Sequence, residues 1–146
     1  SSAQVFIGGA DDKLVANKSI TQKFQLLEEK EKHDALQAIL DQREASARVV
    51  VFCNTKVMCE RLGLAQRKRG VGSCAIHGDK DQWEREQALK QFTQGQCPVM
   101  FATDVAARGL DVKNVGMVIN YDMPQGDDGV ESYVHRIGRT GRAGAM

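Results

Sequence analysis

The sequence predicts an α/β domain in three layers, with a mainly parallel central sheet and helices on both faces. Two observations carry that expectation. Short, nearly unbroken apolar runs recur at 49–53, 73–76, 98–102 and 115–120, the signature of strands buried on both faces. Between them stand longer stretches whose apolar residues lie three and four apart, the period of an amphipathic helix. Strands alternating with helices give parallel strands joined by crossovers. At 146 residues and 42% apolar, the chain suits one compact domain with its own core.

Taken in order, residues 1–17 show no clear period and carry Gly8-Gly9 and Asp11-Asp12, so an arm or linker is expected ahead of a domain beginning at 18. Residues 20–27 alternate loosely and suggest a strand. Residues 30–44 place Leu36, Ile39 and Leu40 on one helical face. The strand at 49–53 ends on Cys53, which reads as a small buried hydrophobe. A second helix is expected over 55–69, with Val57, Met58, Leu62 and Ala65 inward and Gly70 as its stop. After the strand at 73–76 comes a third helix at 81–94. There Asp81 and Glu84 have capping-box spacing, Ala88, Leu89 and Phe92 form the buried stripe, and Gly95 follows the end. Strands at 98–102 and 115–120 complete the series.

The charge balance, 20 basic against 19 acidic residues, excludes a polycation. Any nucleic-acid binding therefore belongs to a local patch. Cys53, Cys59, Cys74 and Cys97 form no Cys-x-x-Cys pair and have no histidine at zinc spacing. That argues against a metal centre or a disulfide framework and for a reducing, intracellular setting, nuclear or cytoplasmic. No apolar run approaches the ~18 residues of a membrane span, and a monomer without membrane contact is expected.

Ligands of open α/β sheets sit beyond the carboxyl ends of the strands. The segments there are Asn54-Thr55, His77-Gly78-Asp79, Thr103-Asp104 with Arg108-Gly109-Leu110-Asp111, and the run YVHRIGRTGR at 133–142. In that run Arg136, Arg139 and Arg142 are three apart, on one side of any helix, and no acid neutralises them. Guanidinium groups bind phosphate oxygens in pairs, and one aimed at a transferring phosphoryl group stabilises its developing charge. A solvated basic turn would have the same composition. Asp111 has the chemistry to accept from ribose hydroxyls, and Gly109 would let backbone N–H groups reach a ligand; a plain helix cap is the competing reading. Gln82 and Arg85 open the third helix, where free N–H groups and the dipole attract phosphate. Trp83 beside them suits either a base stack or a packing contact. No G-x-x-x-x-G-K-[ST] occurs, so the chain carries cations for a phosphate without the loop that cradles it. The rest of such a site comes from elsewhere.

Together, TDVAARGLD, VKNVGMVINYDMP and YVHRIGRTGR resemble the second RecA-like domain of DEAD-box RNA helicases. VVVFCNTK resembles that family's motif IV, and Gln82/Arg85 after HGD resembles its QxxR element. The resemblance runs from about residue 20 to 142. It implies a RecA-like domain that closes with an N-terminal partner domain around ATP, Mg2+ and RNA, single-stranded or duplex. Arg139 and Arg142 would then be the catalytic fingers and, with Gly109 and Asp111, the nucleotide contacts. Thr55, Gly78, Gln82, Arg85 and Thr103 would hold the RNA backbone. His135 and Arg136 would couple the two sites. ATP and Mg2+ would be held mainly by the N-terminal domain, leaving this fragment alone inactive. Two departures stand out. Residues 125–132 make a longer connection than the family's usual one, and the chain stops at Met146, where the family continues into a last strand and helix. A non-catalytic RNA-binding or scaffolding module of the same fold is the competing function.

Overall fold

Val49, Val51 and Cys53 share one face of the sheet, while Val50 and Phe52 share the other. Both faces are covered, which is why these strands alternate in direction without alternating in polarity. The computed structural model describes residues 3–7, 25–107 and 115–122, with the backbone alone at 3–4 and 25–28. Among these residues five strands form one sheet: β1 (Ala3–Phe6), β2 (Val49–Phe52), β3 (Ser73–Ile76), β4 (Val99–Ala102) and β5 (Met117–Asn120). Their order is β1-β5-β2-β4-β3, and every pairing is parallel. The register makes the strands level. Phe6, Asn120, Phe52, Ala102 and Ile76 lie in one row at the carboxyl edge.

Among the described residues, four helices flank the sheet: α1 (Gln25–Gln42), α2 (Lys56–Lys68), α3 (Gln82–Thr93) and the short α4 (Asp104–Ala107). Leu36 and Leu40 of α1 and Cys59 and Leu62 of α2 pack on Val49, Val51, Val99, Phe101 and Ile119. Ala88 and Phe92 of α3 and Ala106 and Ala107 of α4 pack on Val50, Phe52, Ile76, Met100 and Val118 from the opposite side. The result is the expected three-layer α/β domain.

Local chemistry sets the helix ends. Thr55 caps α2 by accepting from Met58 N–H. The α2 terminus closes with Val71 N–H bonded to Gln66 O and Gly70 N–H to Arg67 O, and Gly70 takes φ +83°. That paired pattern needs a left-handed residue, which glycine supplies without strain. Asp81 and Glu84 form the expected capping box, each side chain accepting the other's backbone N–H.

Three expectations are corrected. Part of the expected arm at 1–17 is strand β1, paired to β5. Four residues are too few to show a period, and their partner lies more than 110 residues away. Residues 25–27, expected in a strand, begin α1 instead, while 20–24 lie outside the described residues. The run Gln25-Leu26-Leu27-Glu28-Glu29-Lys30 consists of good helix formers, which outweighs a loose alternation. Val57, expected inward, is 60% exposed; the buried stripe of α2 is Cys59, Leu62, Gly63 and Gln66. Val57 sits in the first turn, off that stripe.

Candidate functional site

Because the strands end level, the loops that follow them start from one line. The ladder continues a residue past the strand ends: Cys53 N–H donates to Ala102 O (3.0 Å), Thr103 N–H to Ile76 O (3.2 Å) and Tyr121 N–H to Phe52 O (3.0 Å). Thr55, Gly78 and Thr103 are thus hung within a few residues of adjacent strands β2, β3 and β4. The Lys56 ammonium meets the Asp79 carboxylate at 3.0 Å, tying the start of α2 to the Gly78 loop.

Each described residue of the expected RNA-contacting set keeps some solvent exposure. Thr55 is exposed; its hydroxyl oxygen accepts from Met58 N–H (3.2 Å), and its own proton can be donated outward. Gly78 is exposed, and a Cβ added there would meet nothing within 4 Å. Gln82 is exposed and donates to Glu86 Oε1 (3.1 Å) one turn on. Arg85 is half-buried on the same turn, and its N–H donates to Asp81 O. Thr103 is half-buried, and its carbonyl accepts from Ala107 N–H (3.0 Å). The capping box engages the Glu84 amide, so the α3 N-terminus offers a ligand less than its dipole suggests. Gly109, Asp111, His135, Arg136, Arg139 and Arg142 lie outside the described residues. Among the described residues no three His, Cys, Asp or Glu side chains gather as a metal site.

Two polar networks behind the edge escape a reading of motifs. Asp122, just past β5, accepts from Asn54 N–H through Oδ2 (2.9 Å) and is ion-paired to Lys32 of α1 through Oδ1. Lys32 also meets Glu29 (3.2 Å) and lies 4.6 Å above the Tyr121 ring. Burial opposes charge on Lys32, but hydrogen bonding and attraction from Asp122, then Glu29, outweigh it and raise its pKa. The same acids and, above all, burial push the Tyr121 phenol up. This cluster fixes the loop that carries Thr55. In the second network, Glu60 of α2 meets Lys80 at 2.8 Å and His77 Nε2 at 2.7 Å. His77 Nδ1 accepts from Asp79 N–H (3.2 Å), so the ring orders the turn around Gly78. The Lys80 hydrogen bond, reinforced by His77, holds the Glu60 carboxyl below its usual value despite burial. A carboxylate directly after a strand, as in Asn120-Tyr121-Asp122, is the sequence signal for the first network; Lys32 shows none. Cys74, by contrast, is pushed up to about 12 by burial, so its thiol stays unreactive.

Residues 31–144 match the family described as helicase conserved C-terminal domain. The DEAD-box ATP-dependent RNA helicase 46 of Arabidopsis thaliana is 56% identical over 143 residues, 98% of this chain and 21% of that protein. The chain spans about a fifth of the length of these curated relatives. Among solved structures, the RNA helicase Prp28 of Chaetomium thermophilum bound to ADP superposes with TM-score 0.70 at 33% identity, over 97% of this chain and 30% of that one. A variant of Saccharomyces cerevisiae Dbp5 bound to RNA and ADP BeF3 gives TM-score 0.68 at 26% identity, over 94% of this chain and 32% of that one.

Proposed function

The chain belongs to the helicase conserved C-terminal domain family, in its DEAD-box branch, and we propose that it is one lobe of an ATP-dependent RNA helicase. In this reading it supplies half of a single-stranded RNA surface and the arginine fingers for hydrolysis of an ATP held by an N-terminal lobe. One observation carries the proposal. Thr55, Gly78, Gln82, Arg85 and Thr103 sit on loops and a helix start along one level sheet edge, tied together by the strand ladder and the Lys56–Asp79 pair. Two of the similar structures contain a nucleotide, and one contains RNA as well.

The chemistry follows from the donors. The Thr55 and Thr103 hydroxyls, the Gln82 amide and the Arg85 guanidinium all donate to phosphate oxygens, and Gly78 lets the strand approach its backbone. Contacts of this kind hold the chain without reading bases, and bonds to ribose hydroxyls favour RNA over DNA. Arg139 and Arg142 reach the γ-phosphate and stabilise the charge that develops on it. Asp111 accepts from the ribose, with Gly109 close by. His135 and Arg136 link RNA contact to nucleotide contact. Mg2+ is bound chiefly by the other lobe. This lobe alone has negligible ATPase activity.

Steady-state ATPase measurement on the full-length protein, with and without RNA, tests the reading. Arg139→Ala should lower the RNA-stimulated rate by ~10³-fold or more. Gln82→Ala combined with Arg85→Ala should raise the RNA concentration needed for half-stimulation. Normal turnover in the first variant refutes the finger assignment, and an unchanged RNA requirement in the second refutes the RNA surface.

A further inference from the structure

Asp122 stands just past β5 and grips the exit of the neighbouring strand β2 at two points. Its backbone N–H donates to Phe52 O (3.4 Å), and its Oδ2 accepts from Asn54 N–H (2.9 Å). The second bond lies beyond the end of β2, on the residue directly before Thr55. The other carboxylate oxygen, Oδ1, faces the Lys32 ammonium of α1. Two oxygens with two different partners leave the carboxylate a single orientation. The Lys32 and Asp122 side chains are only 11% and 17% exposed, so solvent and salt screen the pair weakly. Lys32 is itself held, by Glu29 at 3.2 Å and over the Tyr121 ring, and the Tyr121 hydroxyl donates to Glu29 Oε2 (3.3 Å). Thr55 has an extended backbone, and its hydroxyl oxygen is engaged by Met58 N–H. The direction in which that hydroxyl can donate is therefore set by how Asn54 and the start of α2 are held.

We propose that Asp122, oriented by Lys32, is a positioning residue for RNA: it holds the Asn54 backbone so that the Thr55 hydroxyl meets a phosphate without prior rearrangement. The proposal rests on the RNA-surface reading and adds to it how one of the contacts is set. Asp122 acts through Asn54 and Thr55 and is no ligand of the RNA. A preformed loop spends no ordering entropy when the strand arrives, and a contact group is only as well placed as the residues behind it. Net stability is the weaker explanation of the pair, because the cost of taking two charges out of water offsets much of their attraction. A plain staple between α1 and the sheet would be complete with Asp122 turned to Lys32 alone. The bond from Oδ2 to Asn54 N–H is what directs the carboxylate at the loop.

The test uses the full-length protein and oligouridylate, with steady-state ATPase rates measured across RNA concentration. Asp122→Ala should raise the RNA concentration for half-stimulation about three- to tenfold, the loss of one hydrogen bond. The maximal rate at saturating RNA should stay within about twofold. Thr55→Ala should raise the RNA requirement by a similar factor, and Asp122→Ala should add nothing in the Thr55→Ala background. Lys32→Gln combined with Asp122→Asn keeps an acceptor for Asn54 N–H and a hydrogen bond in place of the ion pair. That pair of changes should recover most of what Asp122→Ala loses. If urea denaturation shows Asp122→Ala unfolded, Lys32→Gln alone takes its place in the same cycle with Thr55→Ala. A wild-type RNA requirement in the variant at 122 or 32 overturns the proposal. So does a loss that persists undiminished in the Thr55→Ala background, which marks a general staple, and so does a fall in maximal rate at an unchanged RNA requirement. Gln82→Ala with Arg85→Ala separates the two levels. If that variant needs more RNA while Asp122→Ala does not, the RNA surface stands and the positioning role falls. If neither needs more, the surface reading fails and the positioning proposal with it.

Discussion

Gly72 and Gly78 show how the same residue type serves two ends. A Cβ on Gly72 would come within 2.4 Å of Gln96 O, a backbone atom that cannot turn aside. Gly72→Ala should cost about 1–3 kcal/mol through overpacking, read from the midpoint of urea denaturation. A Cβ on Gly78 meets nothing within 4 Å, so Gly78→Ala should move stability by less than about 0.5 kcal/mol. The same substitution should weaken RNA binding by crowding the approach. Glu60 makes a pH prediction. Its folded pKa lies below the unfolded value near 4.5, so its stabilisation is present above that pH and fades as pH falls through the lower folded value. Glu60→Gln should flatten the acid side of a stability–pH curve below pH 4.5. Lys32 has the opposite sign: its contribution is complete below 10.5 and disappears as pH rises beyond it. At this scale the sequence was informative about identity and silent about partners. Arg85 and Gln82 stood out by spacing, but the Lys32–Asp122 pair joins residues 90 apart and no local pattern announces it.

Among the elements, helix ends were the most legible features, because a cap involves residues within four positions of one another. Asp81 with Glu84, and Gly70 and Gly95 past their helices, were all foreseeable from spacing and side-chain chemistry. Asp81→Ala should cost about 1 kcal/mol by undoing the α3 cap, lowering the denaturation midpoint at an unchanged slope. Strand β1 and the start of α1 were less legible. A four-residue edge strand takes its pairing from β5, and helix-forming residues at 25–30 overrode an apparent alternation. Val57 was misread because counting apolar residues does not show which turn meets the sheet.

The whole molecule is ordered from the centre of its sheet outward. β2 lies between β5 and β4, and its four residues are buried. β1 and β3 are the outer strands among the described residues. Native-state hydrogen exchange should therefore be slowest at Val50, Val51 and Phe52 and much faster in β1. Equal protection across the five strands would contradict this ranking. The level register has a mechanical consequence. On the RNA reading proposed above, loops borne on strands that stop in one row would swing together, all their holds on a polymer turning by the same angle as the lobe turns. Release, on that reading, would resemble the opening of a hand and not the peeling of a tape.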